Sequence, residues 1–71
     1  MARDKAKDDL YFNCSQPHEK SYVANLYPDA ADKVEEFLTF ACKTNAIRNS
    51  THKEVYALIH KKLGLQTPPV K

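Results

Sequence analysis

The amino-acid sequence predicts an all-α fold, a small orthogonal three-helix bundle, from three observations. The chain of 71 residues holds a single glycine, Gly64, and hairpins, barrels and phosphate-cradling loops all draw on glycine for positive φ. Two segments carry apolar residues at helical spacing. One of them also has a sequence signal at each end.

Helix 1 is expected to start at Ser15 or Gln16, with Pro17 in the first turn, where its missing N–H is not needed. Tyr22, Val23 and Leu26 form its apolar stripe, with Tyr27 at its edge. Pro28 stops it, because the residue before a proline is pushed out of the α region. Helix 2 is expected from Asp29 to Thr44. Ala30, Val34, Phe37, Leu38 and Ala41 fall at i, i+4, i+7, i+8 and i+11 on one face. Asp29 is the expected N-cap and Asn45 the left-handed residue beyond the end. Helix 3 opens with Thr51-His52-Lys53-Glu54, a capping-box pattern, and buries Val55, Leu58, Ile59 and Leu63, with Tyr56 alongside. Gly64 then ends the helix in the left-handed conformation, with Leu65 folding back on the last turn.

Outside the helices, residues 1–9 are charged at most positions and read as a flexible tail. Residues 10–65 read as the single helical domain and 66–71 as an extended, proline-containing tail. Leu10-Tyr11-Phe12-Asn13 is a short β-favouring run, placed to make one bridge with residues 47–49, where Ile47 is the one apolar residue of a polar connector.

Composition narrows the function classes. A hydrophobic fraction of 42% with 28% charged residues is ordinary for a folded domain and excludes a disordered chain. There is no apolar leader and no run near the ~20 residues of a membrane span, so the protein is expected to be soluble and cytoplasmic. There Cys14 and Cys42 would stay reduced.

Cys14 and His18 are four residues apart, but structural zinc is normally held by paired short spacings, and no metal or cofactor is expected. Cys14, Cys42, His18, His52, His60 and the serines stand in no catalytic motif. The protein is therefore expected not to be an enzyme. His18 and His52 are expected at solvated helix starts.

The formal charge of +2 divides unevenly: −3 over residues 1–42 and +5 over 43–71. A basic second half makes nucleic-acid contact the alternative expectation, through Lys43, Arg48, Ser50, Thr51, His52, Lys53 and Lys61 at and around the start of helix 3. Against it, the pI of 8.6 lies below the range usual for DNA-binding domains. Acids early in helix 2 and lysines late in helix 3 are also what helix dipoles favour. The leading expectation is a non-catalytic protein-interaction module, self-associating or binding another protein. Tyr11, Tyr27 and Phe40, off the cleanest helix faces, are its candidate contacts.

Overall fold

The computed structural model describes residues 5–66 and 68. Among them are three α-helices and no sheet: α1 (Pro17–Asn25), α2 (Ala31–Lys43) and α3 (His52–Leu63), with 3-10 turns at Lys5–Lys7 and Pro28–Ala30. They form a small all-α three-helix bundle. Its core is Phe12, Val23, Ala24, Leu26, Tyr27, Val34, Leu38, Ala41, Ile47, Val55, Tyr56 and Ile59.

Each helix end has a local cause. Pro17 occupies the first turn of α1, and Tyr27, ahead of Pro28, takes a non-helical φ of −123° with ψ 68°, as a pre-proline residue must. Asp29, expected to cap helix 2, does not. Pro28–Ala30 form a separate 3-10 turn, and Ala30 stands at the α2 N-cap with no side-chain bond. Asp29 is thus used up inside that turn, one residue too early to reach the first α-helical N–H groups. At the other end Asn45 has φ 61°. The Ala46 N–H donates to Ala41 O at 2.8 Å and the Asn45 N–H to Cys42 O at 3.3 Å, the paired bonds of a Schellman ending. Phe37 is only half-buried; its neighbour Leu38 is the side chain fully enclosed.

The α2–α3 connector explains where the bridge forms. Residues 44–49 run as consecutive turns, with Asn49 also left-handed at φ 61°. This winding drives Ile47 into the core, where it is fully buried, and keeps residues 47–49 from lying extended beside Leu10–Asn13. The bridge forms where the chain straightens, between Tyr11 and Thr51. The Phe12 N–H donates to Ser50 O at 2.7 Å, and the His52 N–H to Leu10 O at 2.9 Å.

The amino-terminal segment is part of this arrangement. Of residues 1–9, expected as a charged tail, 1–4 lie outside the described residues, and Lys7 and Asp8 hold contacts to the domain. Asp8 is buried, and its carbonyl accepts from the Lys53 N–H at 3.1 Å. Of the extended segment expected at 66–71, Gln66 is exposed and Pro68 buried; the others lie outside the described residues.

The expectation of free thiols is corrected. Cys14 and Cys42 form a disulfide, with Cα atoms 5.7 Å apart, inside the range a disulfide spans. The segment leading into α1 passes beside the last turn of α2, and that passage brings the two residues together.

Candidate functional site

Three places carry chemistry: an ionic cluster in the interior, a polar cleft at the disulfide, and an aromatic strip on α2.

The interior cluster starts from the periodicity of α3. His52, Val55, Tyr56 and Ile59 lie at i, i+3, i+4 and i+7, so His52 shares the core face, and it is fully buried. This corrects its expected place at a solvated helix start and removes it from any nucleic-acid surface. Phe12 and Tyr22 meet its ring edge-to-face, with centroids 5.5 and 6.2 Å away. Its Nδ1–H donates to Leu10 O at 2.7 Å and its Nε2–H to Glu19 Oε2 at 3.0 Å. Both partners are acceptors, so both bonds exist together only when the imidazole carries a proton on each nitrogen.

Glu19 reaches this position because Glu19, Val23 and Leu26 share one side of the α1 segment and are all buried. Lys7 completes the cluster, its Nζ 3.3 Å from Glu19 Oε2 and 4.2 Å from the centroid of the Tyr22 ring. Burial alone would raise the Glu19 carboxyl. The hydrogen bond and charge of His52, joined by Lys7, outweigh it and hold the group below its ordinary value of 4.5.

The same segment closes the start of α3. A helix begins with N–H groups that have no partner inside it. Here the His52 N–H has Leu10 O and the Lys53 N–H has Asp8 O. The Glu54 N–H has Thr51 Oγ1 at 3.2 Å, and the Thr51 N–H has Glu54 Oε1 at 3.1 Å. These groups are satisfied within the protein, so a phosphate at this helix end would have to displace them.

The other residues singled out in the sequence are spread over the surface. Lys43, Arg48, Lys53 and Lys61 are exposed, while Ser50 and Thr51 are half-buried. Lys61 stands two turns of helix beyond Lys53, roughly 12 Å along the axis. Tyr27, offered as an interface residue, is instead buried in the core. Pro28 turns the chain sharply enough at the end of α1 to fold its ring inward. Tyr11 and Phe40 are 68% and 64% exposed, and they belong to different depressions.

The first depression is an open cleft of about 450 Å³. The disulfide cysteines, Tyr11, Phe12, Asn13, Ser15, Asn45, Arg48 and Asn49 line it, and Arg48 is the one charged side chain among them. The second is a shallow trough of about 330 Å³ between α2 and the end of α3, lined by Lys33, Glu36, Phe37, Phe40 and Leu63.

Sequence reasoning missed Glu19, Lys7 and the disulfide. The signal for Glu19 was its i, i+4 relation to Val23; for His52 it was the apolar spacing of helix 3 carried one step further back. Nothing in the sequence marks Lys7. Among the described residues no group of three or more His, Cys, Asp or Glu side chains could hold a metal ion, and no helix is long and apolar enough to cross a membrane. No family model, curated protein or solved structure matches this chain.

Proposed function

We propose that this protein is a non-catalytic interaction module that pairs with a second copy of itself through the outer face of α2. The observation that carries this reading is the exposed Phe40 flanked by opposite charges on one face. Glu36, Phe40 and Lys43 fall at i, i+4 and i+7 and are all exposed. Spacings of three and four residues share one helix face. An antiparallel second copy, related by a two-fold axis near Phe40, sets ring against ring and brings Glu36 opposite the other copy's Lys43, twice. A two-fold interface must be self-complementary in this way. The half-buried Phe37 and Leu63 beside the ring extend the apolar strip.

The strip is short. A helix of 13 residues is about 20 Å long, less than a standard stable interface of roughly 800 Å² per partner requires. The pairing is therefore weak and concentration-dependent. The buried His52 is committed to Leu10 and Glu19.

Sedimentation equilibrium from micromolar to millimolar protein tests the reading. The mean mass should rise with concentration for the natural sequence and stay at 8.1 kDa for Phe40→Ser. Glu36→Lys should weaken association, and adding Lys43→Glu should restore it by exchanging the paired charges. A natural sequence that stays monomeric throughout, or a double variant no better than the single one, overturns the proposal.

A further inference from the structure

The cleft beside Tyr11 places a disulfide, a cation and several amides on one accessible surface. We infer that it is a site of thiol–disulfide exchange for a small anionic thiol of about tripeptide size, which forms a mixed disulfide on Cys42.

The disulfide itself is the reactive group. Both cysteines line the cleft, half-buried where they pack against the core, so the cleft is the side from which a thiolate would meet the bond. Access is one of the factors that set exchange rates. The cleft volume of about 450 Å³ falls within the range that small-molecule sites occupy, which leaves room for more than the attacking sulfur.

The lining selects the charge of the thiol. Arg48 is the one charged side chain in it, and Lys43, exposed, follows Cys42 directly. Among the described residues no carboxylate lines the wall to balance them. An anionic thiol is drawn in and a cationic one repelled. Asn45 and Asn49 on the same wall offer amide N–H donors to carboxylates and acceptors to peptide N–H groups; the Asn13 oxygen already accepts from Ser15 N–H and Oγ–H, which leaves its amide N–H groups as donors. Tyr11, two-thirds exposed, supplies an apolar side.

The positions of the two cysteines set the direction of exchange. Cys14 lies two residues before Gln16, the N-cap of α1, toward the positive end of that helix. Cys42 lies in the last turn of α2, toward a negative end. A leaving thiolate is therefore better accommodated at Cys14. The incoming thiolate sulfur forms a bond to Sγ of Cys42; the Cys14–Cys42 bond breaks, and Cys14 departs with the electron pair as a thiolate. No further oxidant or reductant enters. Attack by Cys14 on the mixed disulfide reverses the step and expels the small thiol.

The test uses the oxidised full-length protein with reduced glutathione as the anionic probe, 2-mercaptoethanol as the neutral one and cysteamine as the cationic one. Each is supplied at equal thiolate concentration, and the reaction is quenched with acid and read by intact and peptide mass. Glutathione should react about fivefold faster than cysteamine, the scale of one exposed ion pair, with the adduct on Cys42. The preference should shrink as salt is added and vanish in Arg48→Glu. Arg48 is exposed, and circular dichroism of that variant confirms an unchanged fold. The inference is overturned by equal rates for the three thiols, by an adduct mainly on Cys14, or by reaction only in denaturant.

Discussion

His52 and Glu19 show how a buried histidine–carboxylate contact is tolerated in so small a core. Burying polar and charged groups is expensive, and their interaction offsets this only when the remaining hydrogen-bonding capacity is also met. Here the second imidazole nitrogen has the Leu10 carbonyl and the carboxylate has Lys7 as well. Removing one partner leaves the other charge buried, so His52→Ala should cost about 3 kcal/mol or more. The pH dependence follows from Glu19. Its carboxyl sits below 4.5 in the folded protein, so its contribution is fully present above the unfolded value and is lost as pH falls through the lower folded one. Urea denaturation of the natural protein and Glu19→Gln should show a gap at neutral pH that closes in acid. A gap that persists unchanged in acid, however far the pH is lowered, would mean that the charge of Glu19 is not what stabilises the fold.

At the scale of elements, the ends of the helices decide most of what can be read. The capping box at Thr51 forms with both reciprocal bonds, and Gly64 ends α3 at φ 72°, so both boundaries were legible from residue type alone. Thr51→Ala should cost about 1 kcal/mol, measurable as a shift of the denaturation midpoint with unchanged slope. The Asn45 ending of α2 was legible for the same reason. Its start was not, because Pro28 permits either an α-helical or a 3-10 first turn, and the choice depends on how the chain leaves α1.

The site was less legible than the fold. Phe40 and Tyr11 were marked out by lying off the apolar faces. Tyr27 was marked by the same rule and is buried, because the turn at Pro28 redirects it. The disulfide joins residues 28 apart in sequence, and such pairing follows from tertiary packing that no local pattern encodes. In the loop-entropy account, closing a loop of that length is worth about 3–4 kcal/mol, a large share of the stability of a domain this size.

The whole molecule depends on a segment that composition alone marks as a tail. Residues 5–10 supply a backbone acceptor to Lys53, two acceptor bonds to His52 and the Lys7 ammonium to Glu19. A chain beginning at Leu10 loses the Asp8 carbonyl and Lys7 together. About 1 kcal/mol for each contact lowers the thermal midpoint by about 10 °C in a domain of this size. Unchanged melting of that truncated chain would show the segment to be dispensable.

The junction of this segment with α3 also orders events in time. Leu10 and His52 are 42 residues apart, whereas α1 and α2 are neighbours along the chain and can pack as soon as both have formed. Non-local contacts are reached only after the entropy of closing the intervening loop has been overcome. During synthesis, the carboxylate of Glu19 and the carbonyls of Asp8 and Leu10 emerge long before His52 and Lys53, which will engage them. The first two helices therefore wait with an open, polar seam, and the last third of the chain completes the domain by closing it.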